Sequence, residues 1–202
     1  MTDDATPGRR RRGRRGSHLE PTATGAAAQD REPDAEEVAR TIALRKLTAA
    51  PQSRATLEAA LAAKNVPAET AARVLDRFTE VGLVDDAAYA EMLVRTRHAE
   101  RGLARRALAE ELRRKGIDRD TAAAALDQVG DDDEWSAALR VAGRKARATA
   151  GLDFAVRRRR MVAALGRKGF GPGITYRAVD EVLGQDDALG YDDVDAGPGQ
   201  FP

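Results

Sequence analysis

One pattern of residues occurs three times in the sequence, at a period of about 50 residues. Each copy has an Arg, an apolar residue three positions later, Leu at seven, Lys at ten, Gly or Asn at eleven and an apolar residue at twelve. The copies begin at Arg54, Arg105 and Arg158, so the period is 51 and then 53 residues. Such a period is typical of a unit that buries its apolar face by stacking on its neighbours. The chain is therefore expected to be an array of three similar units.

Each copy ends in residues typical of a helix C-terminus. The three strings are "LAAKNV" (61–66), "LRRKGI" (112–117) and "LGRKGF" (165–170). Gly116 and Gly169 stand where a left-handed residue ends a helix, and Asn65 is the next best residue for that position. The apolar residue that follows is placed to contact the Leu five positions earlier. The preceding Lys suits the negative end of the helix dipole, so it needs no catalytic role.

The leading Arg of each copy is not explained by local helix stability. Arg54, Arg105 and Arg158 fall in or near the first turn of a helix, where a positive charge is unfavourable by up to about 1 kcal/mol. Two explanations remain open for these side chains. One is an ion pair or a packing contact inside the unit, and the other is binding of an anion.

Start and stop signals predict nine helices and no strand. Capping residues and breakers include Gly82, and either Asp85 or Asp86 as the N-cap of the fourth helix. The predicted helices are 34–50, 54–64, 67–80, 87–100, 103–115, 119–129, 134–149, 153–168 and 174–183. They form three-helix repeats at 34–85, 86–131 and 132–185. We therefore predict an all-α, solenoid-like array that is extended rather than globular.

The composition excludes several classes of function. The chain has no Cys and two His, so a disulfide framework, a thiolate zinc site and a cysteine nucleophile are excluded. No apolar run approaches the roughly 20 residues of a membrane span. The glycine-rich "KGFGPG" (168–173) lacks the preceding strand and the Gly-Lys-Ser/Thr ending of a phosphate loop. We expect a cytoplasmic monomer without catalytic residues, metal or cofactor.

A net charge of +1 conceals a strongly uneven distribution of charge. Residues 136–178 contain eleven Lys and Arg but a single acid, Asp153. Such a segment predicts contact with a polyanion, since a solvated helix face normally mixes both signs. Residues 1–33 carry "RRRRGRR", and residues 186–202 carry five Asp without Lys or Arg. Both ends are expected to be disordered tails.

The distribution of basic residues argues against sequence-specific reading of DNA. In a helix-turn-helix protein the last helix of the unit enters the major groove and is polar and basic. Here the last helices of the first two units are Ala-rich and mildly acidic, whereas the middle helices of units two and three are basic. The candidate polyanion-binding residues are Arg105, Arg106, Arg113, Arg114, Lys115, Arg157, Arg158, Arg160, Arg167 and Lys168.

Three stretches together resemble the RecX family, the bacterial regulators of the RecA recombinase. They are "GLVDDAAYAEMLVRTR" (82–97), "RRALAEELRRKGI" (105–117) and "RRRMVAALGRKGF" (158–170), and the resemblance covers about residues 36–184. It implies an all-helical, elongated crescent of three-helix repeats. That crescent would lie in the groove of the RecA filament on DNA and inhibit strand exchange and ATP hydrolysis. The first unit departs most from the pattern, with "LAAKNV" and few basic residues.

Two hypotheses of function follow. No set of catalytic residues supports a third hypothesis, that of an enzyme. The leading one is a modulator of the RecA filament that binds through a basic helical surface. The alternative is a helical-repeat protein that binds single- or double-stranded DNA without regard to sequence and has no recombinase partner. A binding assay with RecA alone, RecA on DNA and DNA alone would separate them.

Overall fold

The structure is a computed structural model that describes residues 34–191, with side chains as far as Gln185. Within that range it contains nine helices and no strand. The helices are α1 (Ala35–Ala49), α2 (Arg54–Ala62), α3 (Ala68–Glu80), α4 (Asp86–Arg101), α5 (Arg105–Arg114), α6 (Arg119–Leu126), α7 (Asp131–Arg147), α8 (Phe154–Arg167) and α9 (Pro172–Tyr191). The predicted tail at 1–33 lies outside the described residues, as does the predicted tail at 186–202 from residue 192 onward.

Consecutive helices pack in threes, and each group of three has its own apolar core. The Leu or Met three positions after the leading Arg and the Leu at seven positions are fully buried in every copy. These residues are Leu57, Leu61, Leu108, Leu112, Met161 and Leu165. The 3–4 spacing of the pattern therefore sets the buried stripe of α2, α5 and α8. The prediction of an all-α fold of three three-helix repeats is confirmed.

Several helix ends differ from the prediction; α6, for example, ends at Leu126 rather than at residue 129. Helix α7 begins at Asp131 rather than at residue 134, with Gly130 as its N-cap, and the Asp133 side chain accepts a hydrogen bond from the Gly130 amide. Acidic residues favour a first turn because of the helix dipole, so the acidic run belongs to the helix instead of preceding it. Helix α9 continues to Tyr191, beyond its predicted end at 183. No proline interrupts that stretch, so the helix includes the start of the predicted acidic tail.

The middle helices of successive repeats meet end to end. The Lys168 carbonyl, at the C-cap of α8, accepts a hydrogen bond from the Ala104 amide at the N-cap of α5, over 3.0 Å. The Lys115 carbonyl, at the C-cap of α5, accepts one from the Ser53 hydroxyl at the N-cap of α2, over 2.6 Å. Each repeat therefore satisfies polar groups at a helix end of the repeat before it.

Carboxylates from the next repeat complete these junctions. The Arg54 amide at the start of α2 donates to Asp86 over 2.8 Å, and the Arg105 amide at the start of α5 donates to Glu134 over 3.1 Å. Asp86 therefore serves the neighbouring repeat, while Asp85 caps α4 itself by accepting from the Ala88 amide. A carboxylate suits the positive end of a helix dipole, so these bonds stabilise the stacking of repeats.

The glycines of the repeated pattern are required at the same junctions. The residue after the Lys has a positive φ in all three copies, at 58° for Asn65, 73° for Gly116 and 87° for Gly169. A Cβ on Gly116 would lie 2.3 Å from the Cβ of Ala55, and a Cβ on Gly169 would lie 2.8 Å from the Ala107 amide nitrogen. Asn65, at the corresponding position of the first repeat, is exposed.

The junction geometry predicts that Ser53 contributes more to stability than Lys115. Ser53 is fully buried, and its hydroxyl bonds both the Lys115 carbonyl and the Thr56 amide. Ser53→Ala should lower the free energy of unfolding by about 1 to 2 kcal/mol, because it removes a cap and leaves a carbonyl unsatisfied. Lys115→Met should change it by less than about 0.5 kcal/mol, since the contribution comes from the main chain. Urea denaturation of both variants would show a reversed order if this interpretation is wrong.

Candidate nucleic-acid interface

Each leading Arg forms an ion pair within its own repeat. Arg54 contacts Asp76 at 2.7 Å, Arg105 contacts Asp127 at 3.4 Å, and Arg158 contacts Asp180 at 3.2 Å. The Asp stands 22 positions after the Arg in all three copies, a regularity that the sequence contains but that the prediction of the sites did not use. The shared pairs connect the middle and third helices of each repeat. They favour the ion-pair explanation of the leading Arg over anion binding.

The pairs of Arg105 and Arg158 leave these side chains partly accessible. Each arginine side chain is 40% exposed, and the Arg105 guanidinium also donates to the Val129 carbonyl. Exposed ion pairs contribute little to stability, so a phosphate could compete for either guanidinium. In the structure, each of the two arginines is already paired with an Asp of its own repeat.

Three other arginines from two repeats line one groove. Arg106 and Arg114 come from α5, and Arg167 comes from the last turn of α8. We call this the arginine groove; it encloses about 320 Å³. Its other lining residues are Leu103, Ala107, Glu110, Glu111, Gly166 and Gly169. The close approach of Gly169 to Ala107 brings the two helices together here, so the stacking of repeats assembles the groove.

The acidic residues of the arginine groove are already paired with other arginines. Glu110 accepts from Arg113 over 2.8 Å, and this hydrogen bond is the main reason that the pKa of Glu110 is lowered. Glu111 accepts from Arg97 over 2.9 Å. Among the described residues, no carboxylate forms an ion pair with the three arginines that line the groove, and all three are exposed. The groove therefore presents an excess of positive charge to solvent.

The lysines of the repeated pattern lie outside the arginine groove. Lys115 is half-buried, and its carbonyl contributes to the junction between repeats. The Lys168 ammonium donates to the Arg101 carbonyl, a contact between repeats 3 and 2. Burial lowers the pKa of Lys168, and the nearby charges of Arg144 and Arg101 lower it further. Lys168 is therefore part of the junction, whereas its neighbour Arg167 reaches the groove.

The remaining candidates spread over the surface of repeats 2 and 3. Arg157 is half-buried in the first turn of α8, while Arg160 is exposed on the next turn. Arg113 is exposed and held by Glu110. Of the predicted residues Arg160, Arg167 and Lys168, Arg167 lines the arginine groove and the other two do not. The convergence of Arg106, Arg114 and Arg167 follows from the stacking of two repeats.

The described residues offer little for metal chemistry. Between Asp34 and Gln185 no group of three or more His, Asp or Glu side chains is arranged to hold a metal ion. In the same part of the chain, no helix is both long enough and apolar enough to cross a membrane.

The fold and the groove together define a helical-repeat protein with a basic surface assembled across repeats. Models of the RecX family match all three repeats: the first three-helix domain at residues 39–78, the second at 85–126 and the third at 131–179. The chain belongs to the RecX family. The predicted family is thereby confirmed, and the matched segments correspond to the three groups of packed helices.

Curated relatives are similar over most of their length. The regulatory protein RecX of Thermobifida fusca is 50% identical over 145 residues, which cover 72% of this chain and 78% of that protein. The regulatory protein RecX of Streptomyces coelicolor is 45% identical over 150 residues, covering 74% and 80%. At this similarity the chain is a regulatory protein of the same family.

Solved structures show the same fold at lower sequence identity. The crystal structure of RecX from Lactobacillus salivarius matches with a TM-score of 0.64 at 21% identity, covering 74% of this chain and 97% of that one. A second crystal structure of a regulatory protein RecX matches with a TM-score of 0.66 at 23% identity, covering 73% and 74%. These likenesses support the arrangement of the helices.

Proposed function

We propose that this protein inhibits the RecA recombinase by binding along the groove of the RecA filament on DNA. The observation that carries the proposal is the arginine groove, in which Arg106, Arg114 and Arg167 converge from two repeats and form no ion pair with a carboxylate of the described residues. A positively charged groove built on rigid helices is suited to the phosphates of a nucleic acid. Membership in a family of regulatory proteins supports a role in control rather than in catalysis.

The proposed contacts would position the protein on the nucleic acid without recognising its base sequence. Guanidinium groups bind phosphate oxygens through charge-assisted hydrogen bonds, and such contacts carry no information about the base. The residues proposed for this role are those named from the sequence, with Arg106, Arg114 and Arg167 as the principal set. Lys115 and Lys168 contribute mainly to stacking of the repeats. Binding is therefore expected to be independent of sequence and strongly dependent on salt.

The protein is proposed to act by occupying the groove of the filament, as a cytoplasmic monomer. This action would need no cofactor and no catalytic residue. An array of stacked repeats exposes a continuous surface along which a second polymer can lie. Repeats 2 and 3 supply the basic part of that surface. The filament would offer the DNA phosphates and the protein surface of the recombinase together.

One binding experiment separates this proposal from a DNA-binding role without a recombinase partner. The full chain would be titrated against RecA alone, DNA alone, and RecA assembled on DNA, with binding followed by fluorescence anisotropy of the labelled protein. Tighter binding to the filament than to DNA of the same length supports the proposal. Equal affinity for both, with no binding to RecA alone, would favour the alternative.

A further inference from the structure

Every repeat has a groove between its middle and third helices, but the character of that groove changes along the chain. The groove of repeat 1 is lined almost entirely by small apolar residues, including Ala59 and Ala72. In repeat 2 the position of Ala72 is taken by Ala123, and arginines appear at the rim. In repeat 3 the same position, 53 residues further along, is Tyr176. Repeat 3 thus places an aromatic ring where the other repeats have a methyl group.

Tyr176 is 47% exposed. The Arg158 guanidinium lies over the ring, 5.4 Å from its centroid, and is itself held by Asp180. This distance is within the roughly 6 Å of a cation–π contact, which favours the observed orientation of the ring. An oriented, exposed aromatic ring is the platform on which an unstacked base binds in single-strand-binding proteins.

The other residues of the groove complement a nucleotide. We call it the Tyr176 groove; it is lined by Ala155, Arg158, Arg159, Val162, Ala163 and Tyr176. It is an open groove on the surface and not an enclosed cavity. Arg159 is exposed and forms no ion pair with any described residue, so its charge is available to a phosphate. Apolar side chains of α8 provide the remaining walls.

We propose that the Tyr176 groove binds one unpaired base of single-stranded DNA, with the base stacked on Tyr176 and the adjacent phosphate bound by Arg159. A base inside a duplex is stacked on its neighbours and cannot reach the ring, so this site selects single strands. The inference rests on the proposed function and deepens it, because it adds a single-strand subsite to a surface that binds phosphates. Apolar and phosphate contacts at one subsite distinguish it from the arginine groove.

The test compares full-length variants on a labelled 12-mer of deoxythymidine and on a duplex of the same length. Tyr176→Ala should weaken single-strand binding by about 5- to 100-fold, the range for loss of one base–aromatic stack, and leave duplex binding within about 2-fold. Tyr176→Phe should retain wild-type affinity, since stacking needs the ring and not the hydroxyl. Phe154→Ala is the matched control, because Phe154 is a 52% exposed aromatic of α8 that does not line the groove.

Further measurements identify the ligand and separate the test of this inference from the test of the proposed function. Photo-crosslinking of a strand containing iododeoxyuridine should map to the peptide with Tyr176. Thymidine monophosphate that bound as tightly as the strand, or an oligouridine that bound much more tightly, would overturn the assignment to DNA. Tyr176→Ala binding the single strand as well as wild type does would refute the subsite, while the filament assay still stood. A wild-type chain that binds neither DNA form nor the RecA filament on DNA would refute both.

Discussion

Replacing Arg106, Arg114 and Arg167 together by alanine is expected to weaken DNA binding by roughly 100-fold at about 0.1 M salt. Three lost phosphate contacts at about 1 kcal/mol each give this factor. The slope of log affinity against log salt concentration should become less steep by about 2 to 3, since each phosphate contributes about 0.7 to 0.9. Anisotropy titrations at several salt concentrations measure both quantities. Because the three side chains are exposed, the helical circular dichroism should be retained.

A matched variant controls for net charge. Arg45, Lys64 and Arg73 are exposed residues of repeat 1, so their replacement by alanine removes the same charge at another place. This variant should bind DNA within about 3-fold of wild type, because a distant exposed charge is largely screened at a Debye length of about 10 Å. Equal losses in the two variants would show that total charge, and not the arginine groove, determines binding. An unchanged affinity in the groove variant would contradict the assignment directly.

The second large effect is expected at the junction between repeats 1 and 2. Gly116→Ala should lower the free energy of unfolding by about 2 to 4 kcal/mol, through a strained backbone and a collision with Ala55. Gly82→Ala is the control for the strain alone, because Gly82 has the same φ of 73° and no atom near its added Cβ. Gly82→Ala should lower the free energy of unfolding by about 1 to 2 kcal/mol. Urea denaturation compares the two variants.

A second substitution isolates the collision. In Ala55→Gly/Gly116→Ala the obstructing methyl group is gone, and the nearest remaining atom is the residue 55 Cα at 3.8 Å. A coupling free energy of about 1 to 3 kcal/mol is therefore expected from the double-mutant cycle. Ala107→Gly should fail to rescue Gly169→Ala, since the added Cβ also meets the residue 107 amide nitrogen at 2.8 Å. Additive effects at Ala55 and Gly116 would contradict the packing described.

Much of the fold could be predicted because its signals are local. A leucine stripe at spacings of three and four fixes the buried face of a helix, and a glycine after a lysine marks its end. These signals concern neighbours in sequence, and the observed helices α2, α5 and α8 carry them in each repeat. The predicted start of α7, at residue 134, is three residues late because an Asp serves equally as a cap and as a first-turn residue.

The arginine groove could not be predicted from such signals. Arg106 and Arg167 are 61 positions apart, and they converge only because Gly169 lets α8 approach the start of α5. The same stacking gives Asp86 and Glu134 their partners in the neighbouring repeat, at sequence separations of 32 and 29. The ion pairs of the leading Arg could have been predicted from the sequence, since an Asp recurs 22 positions after each of these arginines. The ion pairs within a repeat recur at one fixed spacing, whereas the carboxylates that bridge two repeats stand at different spacings in the two junctions.

The central claim, inhibition of RecA through the arginine groove, is tested most directly by the rate of DNA-dependent ATP hydrolysis by RecA. The full chain would be added to preformed filaments at increasing concentration, alongside the groove variant and the repeat 1 control. Wild type and control should reduce the rate to the same extent, while the groove variant should need at least about 10-fold more protein. Full inhibition by the groove variant, or no inhibition by wild type that binds DNA normally, would contradict the account.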